Sequence, residues 1–422
     1  MDSRILDALE EVYGQELTLV REDLGQLEQS VQTIVKSLGT ALLQRMVDQG
    51  PKGYQGSQIP CPCGQTMRFV NHRPRRIHTL GGWITIHRAY YHCPACHRSE
   101  VPYDRTSGLG GEQVSPALAQ ACCLLAVDDS FAETAQKIDG LFGEQVSDTT
   151  VERLVRQVGS VAVGQQQRAY QRFETERQIP VPQAEPARLY VSIDATTVRE
   201  QDGWHEAKIG CIYWQDEHFQ RHQYYVGRFC DSQTFGGYLW LAACQWGLRG
   251  AVEVVYLGDG APWIRTEHDR HFGRATFIID WYHASEHVWD CGKALFGEGT
   301  PLVRQWVEQR LSLLWEGQTD VLLEDLREQR RGHRGGKRKA LNDLIRYVTT
   351  NAEQMRYAAF RAAGYDIGSG AVEGACKHVV GKRLKQSGMF WTRPGSSAVL
   401  ALRITWLNAE WDSFWETKPM AA

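Results

Sequence analysis

The chain has 422 residues, of which 42% are hydrophobic and 23% charged, and its formal net charge is −3 at pH 7. This composition is ordinary for a globular protein, and the length suits roughly two to four domains. No stretch approaches the roughly 18 consecutive apolar residues of a membrane span, and the acidic N-terminus lacks the layout of a signal peptide. We therefore expect a cytoplasmic protein without membrane contact, whose 11 cysteines are free thiols or metal ligands.

The small net charge hides a segregation of charge along the chain. Residues 1–50 carry nine acids and four bases, residues 61–105 carry seven arginines and two acids, and residues 301–400 carry 17 bases and ten acids. The two basic regions permit contact with nucleic acid, although a single charged run is usually a solvated surface.

Residues 1–50 are predicted to form an N-terminal helical region. Apolar residues recur there at alternating spacings of three and four, which is the repeat of a helix seam. They are Leu17, Val20, Leu24, Leu27, Val31, Ile34 and Leu38. This seam suits dimerisation, and it equally suits an amphipathic helix that packs on its own chain.

Residues 51–112 are predicted to form a zinc-ribbon-like β module. Cys61 and Cys63 precede a strand-like stretch with a Gly-Gly turn, and Cys93 and Cys96 follow it. Two such pairs, each beside a turn, suit a tetrahedral zinc site. The first pair has the tight CxC spacing, so one cysteine can give way to a nearby histidine: His72, His78, His87, His92 or His97. A small β module with reduced cysteines is the alternative.

Arginines between the cysteine pairs are candidates for contact with phosphate groups. Those predicted to bind DNA are Arg73, Arg75 and Arg76.

Residues 113–175 are predicted to be helical and to contain a helix-turn-helix. One helix begins near Ser130 and ends near Gly143, and a second begins at Ser147 or Asp148. In a helix-turn-helix the second helix reads the DNA groove, but helical hairpins without DNA contact have the same pattern.

From residue 187 the pattern changes to three strands, a helix, a strand, a short helix and a further strand. This order predicts a mixed sheet with helices on its faces. Residues 284–365 are then mostly helical, and a glycine-rich turn enters a last helix that carries Glu373. The predicted fold class is thus multidomain α+β.

Three carboxylates stand out in this C-terminal region. Asp194 lies within the first strand and Asp259 ends the fourth, so both reach one edge of the sheet if these strands are neighbours. Glu373 can pack across that edge. Clustered carboxylates stay ionised together only with cations between them, and hard oxygen ligands suit Mg²⁺ or Mn²⁺. Each carboxylate also has an ordinary structural alternative, as a strand partner, a turn cap or a surface charge.

Four stretches of sequence support the interpretation that the three carboxylates bind metal ions. SIDATTVR, LGDGAPWI, DWYHASEHV and GSGAVEGACKHVVGKRLKQSGMFW resemble the ISKra group of bacterial insertion sequences, which is similar to the mutator-type superfamily of DDE transposases. The resemblance covers about residues 55–415. It implies an RNase H-like catalytic domain over residues 187–415, with a helical insertion at about residues 284–365.

The resemblance also implies roles for individual residues. Asp194, Asp259 and Glu373 become the catalytic triad that holds two Mg²⁺ or Mn²⁺ ions, with intervals of 65 and 114 residues. Residues that would contact DNA are His283, Lys377, Lys382, Arg383 and Lys385. A structural histidine at 283 and a solvated helix face for the basic residues are the alternatives.

The sequence as a whole predicts a transposase that cuts the ends of an insertion sequence and joins the freed 3′-hydroxyl to target DNA. Its partners would be duplex DNA, at terminal inverted repeats and target sites, and a second copy of the chain, and it would associate with the nucleoid. A structure-directed RNase H-like nuclease and a catalytically idle DNA-binding protein are the alternatives.

Overall fold

The computed structural model describes residues 23–368 and 370–420. Leu17, Val20 and the rest of the predicted region before residue 23 lie outside the described residues. The chain divides into two compact units, one of residues 1–161 with 411–422 and one of residues 162–410. Within the described ranges, no helix combines the length and apolar character needed to cross a bilayer.

The first unit contains a long helix and an antiparallel sheet. Helix α1 spans Leu24–Gln49, and the sheet has the order β1-β2-β3-β4. The strands are β1 (Gln58–Pro60), β2 (Thr66–Thr79), β3 (Gly82–His92) and β4 (Ser99–Glu100). A two-residue turn at residues 80–81 joins β2 to β3, as the paired glycines predict.

Helix α1 packs against the β2–β3 hairpin. The Gln44 side chain bonds both the N–H and the carbonyl of Thr85, at 2.7 and 2.8 Å. Ile34 is buried on this side, whereas Leu24, Val31 and Leu38 are exposed. The predicted seam therefore divides between a face that packs on its own chain and a face that does not.

The remaining helices of the first unit include the predicted helical pair. They are α2 (Pro102–Ser107), α3 (Pro116–Ala126), α4 (Phe131–Phe142), α5 (Asp148–Glu176), which runs on into the second unit, and α16 (Trp411–Glu416). Ser130 and Glu133 form a capping box at the start of α4, and Gly143 ends it with φ 61°. The predicted helix boundaries are thus confirmed here.

The second unit is built on a five-stranded sheet with the order β7-β6-β5-β8-β9. Its strands are β5 (Arg188–Glu200), β6 (Gly203–Gln215), β7 (Arg221–Arg228), β8 (Glu253–Gly258) and β9 (Thr276–Ile279). The first three form an antiparallel meander, and β5, β8 and β9 run parallel. The predicted mixed sheet is confirmed, and its first and fourth strands, β5 and β8, are neighbours.

Helices connect and follow these strands. They are α6 (Ser232–Gln245), α7 (Pro262–His271), α8 (Trp281–Phe296), α9 (Pro301–Trp315), α10 (Thr319–Gly332), α11 (Gly335–Asn351), α12 (Tyr357–Ala362), α13 (Gly370–Ala375), α14 (Lys382–Leu384) and α15 (Arg393–Leu407). A 3₁₀ turn, Ala352–Met355, follows α11, and a π-helix, Cys376–Gly381, joins α13 to α14. The helices from α8 to α12 lie in the sequence interval between Asp259 and Glu373, after α7 and β9.

Candidate active site

Three aspartates lie in one row at the carboxyl ends of the parallel strands. Ser192 of β5 pairs with Leu257 of β8, and Gly258 of β8 pairs with Ile279 of β9. Continuing the same registers sets Asp194, Asp259 and Asp280 side by side. The sheet topology alone therefore brings the first two predicted carboxylates together, since parallel strands present their carboxyl ends at one edge.

Asp194 is a partly buried carboxylate with few compensating contacts. Its Oδ1 accepts a hydrogen bond from the N–H of Ala195 at 2.7 Å, and the Cys376 thiol lies 3.4 Å from its Oδ2. Burial raises the pKa of Asp194, and the neighbouring charge of Asp259 raises it further. Two ionised carboxylates at this position would repel each other.

Asp259 is fixed by the turn that follows β8. Its Oδ1 accepts the N–H of Ala261 at 2.7 Å, which closes a tight turn before helix α7. Gly260 has φ 83°, and a Cβ there would lie 2.4 Å from Ile279 Cδ1. Glycine is therefore required in this turn, and the second carboxylate oxygen of Asp259 makes no hydrogen bond within the described chain.

Asp280 and His283 occupy the start of helix α8. Asp280 is buried, and its Oδ1 caps the helix by accepting the N–H of His283 at 2.7 Å. His283 is near enough to lower the pKa of Asp194, against the larger effect of burial. The His287 ring lies 3.8 Å from that of Tyr347, and burial lowers the pKa of His287. Asp280 thus serves as a helix cap, while His283 and His287 flank Asp194 and Asp259.

Glu373 lies on the helix that packs beside Asp194, but its carboxylate is turned to a lysine. Lys377 Nζ donates to it at 2.6 Å, and half of the Glu373 side chain is exposed. Among described residues, tight groups of potential metal ligands occur at the four cysteines and at Glu200, Asp202 and His205, and not at the predicted triad. Without a cation, repulsion between carboxylates favours this arrangement.

The group around Glu200 has a structural explanation. Glu200 is buried, accepts the hydroxyl of Ser396 at 2.6 Å and lies 3.1 Å from Arg393 Nε. Its carboxylate therefore ties the end of β5 to the start of helix α15.

Cys376 is a site residue that the sequence analysis missed. Its thiol contacts Asp194, and the charges of both Asp194 and Glu373 raise its pKa, after the larger effect of burial. The available signal was its position three residues after Glu373, on the same helix face. Cys376 thus lies near both carboxylates.

The backbone beyond Glu373 is a π-helix, a form that often marks functional positions. Its carbonyls at His378 and Val379 accept hydrogen bonds from the Arg403 side chain, both at 2.9 Å from Nε. Arg403 is buried at 2% exposure. This second missed residue satisfies carbonyls that a regular helix would pair internally.

We expect Arg403→Met to destabilise the protein by about 3 kcal/mol, because it leaves buried carbonyls without their charged donor. Thermal or urea unfolding would measure the loss. Arg346→Met, which removes an exposed arginine paired with Asp343, is the control and should shift stability by less than about 0.5 kcal/mol. Equal effects of both substitutions would contradict a supporting role for Arg403.

The basic residues predicted to follow Glu373 divide into exposed and buried ones. Lys382 is exposed, and Lys385 Nζ donates to the Thr196 hydroxyl, two residues beyond Asp194 on the same strand. Arg383 is instead fully buried, with its guanidinium over the Trp391 ring. The expectation of an exposed Arg383 on a DNA-facing helix was wrong, because its guanidinium packs on Trp391 and donates to the Met389 sulfur at 3.3 Å.

The four predicted cysteines converge at one end of the first sheet. Cys61 and Cys63 follow β1, Cys93 and Cys96 follow β3, and their Sγ atoms lie within 4.8 Å of one another without a histidine among them. Measured Sγ–Sγ distances are 3.3, 3.5 and 3.8 Å. Tetrahedral zinc with Zn–S bonds of about 2.3 Å needs separations of about 3.8 Å, so the donors fit this metal.

The pKa values of the cluster divide between two thiols. Hydrogen bonds from the backbone N–H groups of Cys96 and Ala95 lower the pKa of Cys93 to about 7, which favours a thiolate. Against a hydrogen bond from the Cys63 backbone, burial and the neighbouring thiols raise the pKa of Cys61 to about 12.

The arginines beside this cluster differ in availability. Arg75 donates to the carboxylate of Asp104 and to the carbonyls of Gly110 and Glu112, so its guanidinium is committed to the fold. Its predicted role in phosphate binding therefore loses support. Arg73 and Arg76 are exposed and lie over the rings of Tyr90 and Trp83.

Comparison with known proteins places these features in a family. Residues 25–413 match the model of a family described as "Uncharacterised protein family (UPF0236)", a span that includes the cysteine cluster and all the candidate carboxylates. A relative from Streptococcus gallolyticus, the "UPF0236 protein in vanSb 3'region", is 23% identical over 345 residues, covering 75% of this chain and 69% of the relative. The chain therefore belongs to the UPF0236 family.

Proposed function

We propose that the protein is a DDE-type DNA transposase, which cuts insertion-sequence ends and joins the 3′-hydroxyl to target DNA. One observation carries the proposal: the parallel strands β5 and β8 set Asp194 and Asp259 side by side, under the helix of Glu373. The resemblance to the ISKra group and mutator-like transposases supports the same residues.

The topology of the second unit supports an RNase H-like core. An antiparallel meander of three strands is followed by two strands parallel to the first, with the sheet order β7-β6-β5-β8-β9. Such a sheet brings carboxylates on neighbouring strands together at one edge. Metal-dependent phosphoryl transfer requires carboxylates that are close enough to bind the same ions. The helices between residues 281 and 362 then correspond to the helical insertion.

Asp194 and Asp259 would hold Mg²⁺ or Mn²⁺, with Glu373 joining them. Held by these carboxylates, the ions would supply activation of an attacking oxygen and stabilisation of the leaving oxygen of a phosphodiester. Glu373 must first leave Lys377, and an exposed ion pair costs only about 0–1 kcal/mol to break. The freed Lys377 would then face a DNA phosphate, as would Lys385 beside Thr196. His283 would orient the same strand.

The first unit would recognise DNA ends. The cysteine cluster would hold Zn²⁺ and fix the β module, from which Arg73 and Arg76 project. Helices α4 and α5 would act as the helix-turn-helix. An element has two ends and a protomer one carboxylate site, so we propose at least a dimer on DNA, working at the nucleoid in the cytoplasm.

The test is cleavage and joining of a labelled duplex that carries the end of an element, with Mn²⁺ or Mg²⁺. We expect cut 3′-ends and their covalent transfer to a second duplex. Glu373→Gln should reduce cutting by about a hundredfold or more while DNA binding persists. The control is Glu217→Gln, an exposed acid in the β6–β7 turn, which should cut normally.

Each other outcome selects a different function. Cutting without joining would identify a nuclease. Metal-independent binding with no cutting by the native protein would identify a DNA-binding protein and reject the proposal.

A further inference from the structure

The segment Arg327–Lys339 is a dense positive feature that the proposed catalysis does not use. It holds seven bases and one acid, and it covers the end of α10, the connection and the start of α11. We name this segment the basic turn. The side chains of its exposed bases project to solvent: Arg327, Arg331, Arg334, Lys337, Arg338 and Lys339.

The charges of the basic turn are not neutralised by the protein. In residues 23–368 and 370–420, none of these six exposed bases forms an ion pair with an acidic group. Nearby arginines behave differently: Arg304 pairs with Glu308, and Arg346 with Asp343. The positive charge of the turn is therefore available to a partner.

Helix stability explains only part of this charge. Arg330 and Arg331 lie in the last turn of α10, where cations favour the helix dipole. Lys337, Arg338 and Lys339 lie in the first turns of α11, where cations oppose it, and this helix has neither a side-chain cap nor an acid in its first turn. A sequence that places bases against local stability points to binding.

The position of α11 relates the basic turn to the candidate active site. Tyr347, ten residues after Lys337 on the same helix, has its ring 3.8 Å from that of His287, which flanks the aspartate pair. At 1.5 Å per residue this separation is about 15 Å along the helix. Duplex DNA rises about 3.4 Å per base pair, so a duplex that runs along α11 would span roughly four base pairs between Lys337 and Tyr347.

We propose that the basic turn binds the phosphate backbone of duplex DNA that runs along α11 to the scissile bond. This inference rests on the proposed function for the position of the bond. Its contacts are those of point charges on a helical hairpin, so they fix DNA position without reading sequence.

The test is binding of a random-sequence duplex, several helical turns long, without divalent metal and over salt from about 50 to 200 mM. Lys337→Gln with Arg338→Gln should weaken binding about tenfold and reduce the slope of log affinity against log salt by roughly 2. The matched control is Arg249→Gln with Arg274→Gln, two exposed bases outside the turn, and should leave both quantities unchanged.

A stability measurement separates lost contacts from lost fold. The Lys337→Gln, Arg338→Gln variant should melt at the native temperature or slightly above, because it removes cations from the positive end of α11. Native affinity of this variant for the duplex, or an equal loss of affinity in the control, would overturn the inference. So would a variant that keeps its affinity for the duplex and loses affinity for single-stranded RNA or for an acidic protein, titrated in parallel. Metal-dependent cutting is measured separately, so such a result leaves the proposed catalysis standing.

Discussion

Asp194→Asn is expected to abolish metal-dependent DNA cutting and, without divalent cations, to raise the melting temperature of the protein. Cutting should fall by about a thousandfold or more, since a bound metal supplies several kcal/mol of transition-state stabilisation. Stability should rise because burial and the charge of Asp259 both disfavour the ionised carboxylate of Asp194. Asn keeps the acceptor for the Ala195 N–H and loses the charge.

The stability that Asp194→Asn gains over the native protein should depend on pH, with a defined sign. The pKa of Asp194 lies above its ordinary value of 3.8 in the folded protein, so the unfolded chain loses this proton first as pH rises. The stability difference between native protein and Asp194→Asn, measured in chelator, should be small below about pH 4 and grow as pH rises. It should then stay constant above the folded pKa.

Divalent cations provide the matching test. Mn²⁺ at about 100 times its dissociation constant should stabilise the native protein by about 2.7 kcal/mol, and it should leave Asp194→Asn unchanged. Glu217→Gln, an exposed substitution, should respond like the native protein. Equal Mn²⁺ shifts in native protein and Asp194→Asn would contradict a metal site at Asp194.

Much of the second unit was predictable because its signals are local. Strand-length apolar runs, glycine turns and capping residues give the order of elements, and parallel pairing of β5 and β8 then follows from a crossover through a helix. Asp194 and Asp259 were expected at one sheet edge on the condition that these strands are neighbours, and the condition is met. The same reasoning placed the four cysteines together, since both pairs adjoin turns of one antiparallel sheet.

The parts that failed depend on residues distant in sequence. The π-helix after Glu373 has its carbonyls satisfied by Arg403, 25 residues beyond His378. Arg383 is buried against Trp391 instead of exposed. Arg75 likewise donates its guanidinium to the carboxylate of Asp104, 29 residues away in sequence, and is therefore committed to the fold. The ion pair of Glu373 with Lys377 is local by contrast, since residues four apart on a helix face each other.

The cysteine cluster leads to the second large expected effect. We expect the purified protein to carry one zinc ion per chain and Cys93→Ser to lose it, because sulfur separations of 3.3 to 3.8 Å already suit a tetrahedral site. Structural zinc contributes about 10–16 kcal/mol of apparent binding energy in small zinc domains. Loss of one ligand should therefore unfold the β module locally.

Metal analysis after gel filtration and limited proteolysis would check this expectation. Cys93→Ser and chelator-treated native protein should both be cleaved within residues 58–100, while the five-stranded sheet of the second unit stays resistant. Cys230→Ser is the matched control, since this cysteine lies outside the cluster and should retain both zinc and resistance. A zinc-free native protein with the same resistance before and after chelation would mean that four reduced thiols and the small cores around Ile59 and Ile77 hold the module by themselves.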